Sequence, residues 1–446
     1  MCVRARGGAA AVAVAVALTA CHVAAGAARV PRRPAATDPT LASVVQVERV
    51  TEGVRGLHAT RPVPAVLLAP AAFNRVLAQV IAESSSPDDL QVEAQTLTLL
   101  GLLSPRVDPR RVLAPASDGG VVAFYDPGGR RFFLARRAHD LSLDDRVTVA
   151  HEYTHALQDQ AFGLDQVRPP DGGVVRNSDR ALAETALIEG DATVTMALYA
   201  QAAFTQQQYV QWLGDSSPAS SADGTTHGAG TGMPRYLQDL ASFPYDAGMA
   251  FEQTLLDQGL SGPSFDRVDA AFHHPPTSTR QILHPELYRQ DPTAPAPDLP
   301  PPSPCLPRGW QREVSDVMGE YGLRDMLAQR LDEDVAVRVA SGWRADRYTL
   351  FDRGGDTLLA WRLRLCASGC ARDLLRALSR YWPQLPSPRP MYTGGVAPRR
   401  TGAGVMFRRT GAGLMAARVQ GGDLLIVVAS TGVTPGAVLR ALSTMS

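Results

Sequence analysis

The stretch His151-Glu152-Tyr153-Thr154-His155 constrains this chain more than any other. Two histidines four residues apart fall on one face of an α-helix, one turn from each other. Imidazoles placed in this way can grip one metal ion, and zinc favours such ligands. The glutamate between them projects beside that ion, where it can take a proton from an activated water. Three fixed positions in five recur by chance, so the surroundings matter. Ser142 to Asp145 fits a capping box, with Ser142 as N-cap and Asp145 three residues on. Val147, Ala150, Thr154 and Leu157 recur at helical spacing and give the helix a side to bury. Upstream, Val121 to Tyr125, the turn Asp126 to Gly129 and Arg131 to Ala135 read as a β-hairpin. A strand edge beside such a helix can hold an extended peptide. The competing reading is a surface helix with two satisfied histidines.

A catalytic zinc usually has three protein ligands and an open position. A second helix is expected from about Asp179 to Tyr199, and it offers Glu184, Glu189 and Asp191. Glu189 lies 34 residues after His155 (189 − 155) and shares a face with Leu182, Ala186, Thr193 and Met196. Glu184 lies on the far side and reads as a solvated helix charge. Leu187, Val194 and Leu198 make that side apolar too, so periodicity leaves the choice open. Asp191 suits a supporting role, holding a ligand in place by a hydrogen bond, or a purely structural one.

Four segments together resemble a family of bacterial lipoproteins and secreted proteins among the gluzincin-type metallopeptidases. They are Tyr125-Asp126-Pro127, the run from His151 to Gln160, Glu189-Gly190-Asp191-Ala192, and the run from Pro275 to Glu286. The resemblance spans roughly Val47 to Tyr288 and, more weakly, the C-terminal part. It implies a zincin-like domain with His151, His155 and Glu189 as zinc ligands and Glu152 as catalytic base. It implies no particular substrate.

The segment from His273 to Tyr288 adds polar groups that a metal-dependent hydrolase could set opposite its ion to stabilise an oxyanion. His284, in Ile282-Leu283-His284-Pro285, is the preferred candidate, and Tyr288 is a second. The same segment also reads as a structural strap in which His284 caps a helix or buries a hydrogen bond. His273 and His274 read as structural.

The N-terminus reads as a targeting signal. Arg4 and Arg6 precede an apolar run from Ala9 to Leu18, too short to span a bilayer comfortably. Leu18-Thr19-Ala20-Cys21 resembles a lipobox, which makes Cys21 the lipidated first residue of a mature chain tethered to a membrane; plain cleavage after Ala25 or Ala28 is the alternative. Either way the chain is expected to work in the cell envelope, outside the cytoplasm. Once Cys2 and Cys21 are set aside, Cys305, Cys366 and Cys370 remain. Cys366 and Cys370 are close enough to join across Ala367-Ser368-Gly369 in an oxidising setting, with one cysteine left free. With 44 basic and 44 acidic residues the net charge is zero, which removes the basic excess a general nucleic-acid binder needs.

At 446 residues the chain has room for two domains. The expected fold is α+β: a signal peptide (1–21), a flexible leash (22–40), a mainly helical zincin-like domain with a small antiparallel sheet (41–290), a Pro-rich linker (291–307) and a smaller α+β domain (308–446). Gly214 to Thr231, rich in Ser, Gly and Thr, reads as a mobile loop. In the last domain two rounds of β-β-α suggest an antiparallel sheet with helices on one face. The functional expectation is a zinc peptidase acting on a peptide or protein substrate. Its rivals are a non-catalytic envelope protein that binds a partner or peptide, and a metal-dependent amidase acting on a cell-wall bond.

Overall fold

The computed structural model describes residues 39–83, 87–104, 122–136, 140–169, 174–215, 233–257, 264–292, 297–382, 399–401, 405–409 and 413–445. Cys21, the leash up to residue 38 and most of the Gly214 to Thr231 stretch lie outside them. The fold is α+β, with two sheets and fifteen helices among the described residues. No helix among these residues is long and apolar enough to cross a membrane.

The N-terminal part begins with α1 (Pro39–Arg55), β1 (Ala65–Leu68), α2 (Pro70–Glu83) and α3 (Pro87–Leu100). The hairpin follows as β2 (Ala123–Asp126) and β3 (Arg131–Ala135). The sheet order is β1-β3-β2, and β1 runs parallel to β3, so this sheet is mixed rather than antiparallel. The reason is topological: two helices intervene before the chain returns to the sheet, and so long a connection allows a parallel crossover. Phe124 stacks on Phe133 across the hairpin and meets Phe73 of α2 edge to face.

Helix α4 (Leu143–Phe162) carries the two histidines. Its start is closed by the expected capping box: the Asp145 N–H donates to Ser142 Oγ, and the Ser142 N–H donates to Asp145. A short helix α5 (Leu164–Val167) leads on to α6 (Ser178–Ala203), capped by the Asn177 side chain. Then come α7 (Gln206–Asp215), α8 (Arg235–Leu256), α9 (Asp266–His273), α10 (Thr279–Leu283) and α11 (Pro285–Gln290). Helix α6 is buried on nearly every side, because α1, α4 and α8 all pack against it. Its crossing with α8 is unusually close. A Cβ on Gly190 would strike the Gly248 backbone, and one on Gly248 would strike the Ala186 carbonyl.

The C-terminal part is a seven-stranded sheet of order β4-β5-β6-β10-β9-β8-β7, antiparallel at every pairing. Its elements are β4 (Gln311–Asp316), α12 (Gly319–Ala328), α13 (Glu333–Ala340), β5 (Trp343–Arg353), β6 (Asp356–Leu365), α14 (Ser368–Tyr381), β7 (Arg399–Thr401), β8 (Val405–Arg409), β9 (Gly413–Gln420), β10 (Asp423–Ser430) and α15 (Pro435–Thr444). Gly354 and Gly355, both at positive φ, make the two-residue turn between β5 and β6. Helices cover both faces of this sheet, contrary to the one-face expectation. Leu424, Ile426 and Val428 pack with α12, α13 and α14, whereas Leu425 and Val427 pack with α15. A strand apolar at every position needs cover on both sides.

Two further departures concern the division of the chain. Helix α3 belongs by sequence to the N-terminal region, yet Leu97, Leu99 and Leu100 sit in the core of the C-terminal sheet, and Tyr381 donates its hydroxyl to the Leu100 carbonyl. The Pro-rich stretch is docked rather than free where described: Leu299 is buried, Arg347 bonds Asp298, and the Cys305 N–H donates to Thr444. Cys366 and Cys370 form a disulfide at the start of α14, and Cys305 is free and exposed.

Gly248→Ala tests the helix crossing by its sign. In an open helix this change gains about 1 kcal/mol of propensity. Here the new methyl group has no room, so a net loss of about 1–3 kcal/mol is expected in urea unfolding. A variant as stable as the parent would contradict the close contact of α6 with α8.

Candidate metal centre

Helix geometry brings His151 and His155 onto the face of α4 that meets α6. Their rings lie edge to face, 4.8 Å between centroids. Glu189 reaches them from α6. His151 Nε2 stands 3.2 Å from Glu189 Oε2, His155 Nε2 stands 3.5 Å from the same oxygen, and the two Nε2 atoms are 3.2 Å apart. Among the described residues these three form the one group of His, Cys, Asp or Glu side chains able to hold a metal ion.

The donor spacing suits a small metal ion. An ion with bonds of about 2.0–2.1 Å at tetrahedral angles holds its donors about 3.3–3.4 Å apart. The three observed separations bracket that value. None of the three ligands, nor Glu152, exposes more than 6% of its surface, so an ion here would be shielded from bulk water.

Electrostatics follow from this burial. Burial alone would raise the Glu189 carboxyl, but His155 and His151 outweigh it and hold the group well below the usual carboxylate range. Burial alone would lower the His155 imidazolium, but Glu189 and then Glu152 push it up to about 9. Burial raises the Glu152 carboxyl against the pull of the two histidines. Its Oε2 accepts the Tyr125 backbone N–H at 3.0 Å, which ties the outer edge of β2 to α4. Two turns further along α4, the Tyr125 hydroxyl donates to Asp159 at 2.8 Å, a second tie.

The three candidate acids of α6 separate cleanly. Glu189 is at the centre. Glu184 is buried rather than solvated and pairs with Arg180 at 2.6 Å, because the far side of α6 is covered too. Asp191 touches neither histidine directly; it accepts from Gln158 at 2.8 Å and from Arg55 at 2.6 Å.

His284 and Tyr288 are engaged elsewhere. His284 caps the junction of α10 and α11, and its Nε2 meets Glu320 of α12 at 2.7 Å. Tyr288 donates its hydroxyl to the His274 carbonyl at 2.8 Å and packs on Phe251. The strap reading describes both. Thr279, at the start of this segment, bonds Asp179, ten residues before Glu189 on α6 and so roughly 15 Å down the helix.

The aromatic residue at the centre is Tyr245 of α8, which sequence reasoning missed. Its ring stacks on His151 at 6.0 Å, and its phenol hydrogen-bonds Glu189. Burial, with the nearby Glu189 and Glu152 charges, raises the phenol well above its ordinary range, so it stays a donor. The signal available in sequence was Phe243-Pro244-Tyr245 inside an otherwise helical run, but nothing there linked it to residue 189.

Tyr245→Phe removes that donor and keeps the ring on His151. With zinc as the probe ion, affinity is expected to fall about tenfold while the fold holds. Unchanged affinity in chelator competition would show that the phenol does not orient Glu189.

Comparison with known proteins bears on the other end of the chain. Residues 308–438 match a family model described as Domain of unknown function (DUF8575), a span that covers most of the C-terminal sheet unit and none of the residues of the metal centre. No curated protein and no solved structure matches the chain.

Proposed function

We propose that this chain is a zinc-dependent peptidase with a zincin-like catalytic unit, working outside the cytoplasm and tethered to a membrane through Cys21. The observation that carries this reading is the triangle of donor atoms from His151, His155 and Glu189, with edges of 3.2, 3.2 and 3.5 Å. Two neutral imidazoles and one carboxylate suit zinc, and they leave a fourth position for water or substrate. Bound there, zinc would polarise the scissile carbonyl and make an attacking water acidic near neutral pH.

Glu152 sits beside the triangle without being one of its corners. Held by the Tyr125 N–H, its carboxylate accepts the proton of the attacking water and passes it to the departing amine. An acid whose affinity for protons is raised by burial suits both halves of that transfer. Tyr245 braces Glu189 by donating its phenol O–H to that carboxylate. Among the described residues β2 is an edge strand of its sheet, and it meets α4 at Glu152, so that a substrate peptide could run alongside it once the Tyr125 N–H is released from Glu152. The Cys366–Cys370 disulfide suits an oxidising compartment.

The deciding experiment combines metal analysis with unbiased peptide-library cleavage by the parent and by Glu152→Gln. The parent is expected to carry about one zinc per chain. The variant is expected to keep the metal and to lose cleavage by about a hundred- to ten-thousand-fold. A parent without zinc, or a variant that cleaves as well as the parent, would refute the proposal.

A further inference from the structure

His155 must present a bare Nε2 to any metal ion, so its other ring nitrogen has to carry a hydrogen. What imposes that arrangement can be traced outward through buried groups. His155 Nδ1 lies 2.9 Å from Gln158 Oε1, one helical turn along α4. The Gln158 amide nitrogen faces two acceptors, the Ile188 carbonyl at 3.0 Å and Asp191 Oδ2 at 2.8 Å. Both positions demand a donor, so the amide oxygen must face the imidazole. Nδ1 is therefore the donor, and Nε2 is left for the metal triangle.

The chain of contacts continues to the N-terminal helix. Asp191 Oδ1 accepts from Arg55 Nε at 2.6 Å, and Arg55 Nη2 bonds Asp269 of α9 at 2.6 Å. The guanidinium lies 4.2 Å from the centre of the Phe265 ring. Arg55, Asp191 and Gln158 are each fully buried. A guanidinium out of water is costly, and here two carboxylates and an aromatic face offset that cost, although Nη1 is buried without a hydrogen-bond partner. Glu252 is also buried against Asp191, where burial and the Asp191 charge raise its carboxyl well above the usual range. With Arg55 on Oδ1 and Gln158 on Oδ2, Asp191 keeps one orientation.

We propose that Arg55 is a positioning residue of the metal centre, acting through Asp191 and Gln158 to fix the Nδ1–H form of His155 and free Nε2 for the ion. The inference rests on the metal-site reading above. It also makes α1, over 130 residues before Asp191 in sequence, part of the site.

The test is a double-mutant cycle in the full chain, with zinc affinity and ring-proton NMR as readouts. Arg55→Lys keeps a buried cation but loses the planar fork. Gln158→Leu cuts the relay at its last link. Each is expected to weaken zinc binding about tenfold. Because the two act along one path, Arg55→Lys should change affinity less than about twofold when Gln158 is already Leu. In the metal-free protein, the His155 Nδ1–H resonance should be protected in the parent and lost to exchange in both single variants. Equal losses from Arg55→Lys in both backgrounds, or a His155 Nδ1–H equally protected in Arg55→Lys, would overturn the relay. If Arg55→Lys fails to fold by urea titration, Asp269→Asn, which loosens Arg55 from its half-exposed partner, takes its place with the same expectations. A parent that binds no zinc would refute the metal reading and leave the ring-proton measurement to decide the relay.

Discussion

Three polar side chains face one another in a place that water hardly reaches, and the surrounding packing exists to make that tolerable. Two imidazoles and a carboxylate buried together need either a cation or a shared proton. His151, His155 and Glu189 are set for one of these by the crossing of α4 with α6. That crossing is buttressed by α8, which approaches α6 through Gly190 and Gly248 and thereby delivers Tyr245 to Glu189. From the other side, β2 holds Glu152 by a backbone N–H. A rigid frame of helices and a strand edge can place catalytic groups more closely than loops can.

The C-terminal unit is fastened to the same frame. A backbone bridge joins Val175 to Ser315 of β4, and Asp316 accepts from both the N–H and the hydroxyl of Ser178, at the start of α6. Asp179 receives Thr279, and Glu320 of α12 receives Arg280 and His284. Through the strap from Thr279 to Tyr288, the sheet unit grips the N-terminal end of the helix that carries Glu189. The distinctive run from Pro275 to Glu286 thus serves as a clasp between the two parts, with its histidine facing a carboxylate of the C-terminal unit.

Local signals in the chain foretold local features. The capping box at Ser142, the helical placement of His151 and His155, the β5–β6 hairpin and the Cys366–Cys370 disulfide each depend on residues close in sequence. Glu189 could not be separated from Glu184 by periodicity, because α6 is enclosed on nearly every side and both of its faces are apolar. Tyr245 was invisible for a related reason: its contact with Glu189 is set by a helix crossing that two glycines permit, and no pattern around Tyr245 reports it. The same holds for α3, whose leucines announce burial without naming the sheet they cover, and for Arg55, whose burial depends on carboxylates from α6 and α9. Distant pairings that follow from topology were the part out of reach.

X-ray absorption at the zinc edge, on purified zinc-loaded protein, tests the central claim most directly. The account predicts two imidazole nitrogens and one carboxylate oxygen from the protein at about 2.0–2.1 Å, no sulfur, and loss of that signature in Glu189→Ala. Sulfur ligands at about 2.3 Å, or a spectrum unchanged by Glu189→Ala, would contradict it.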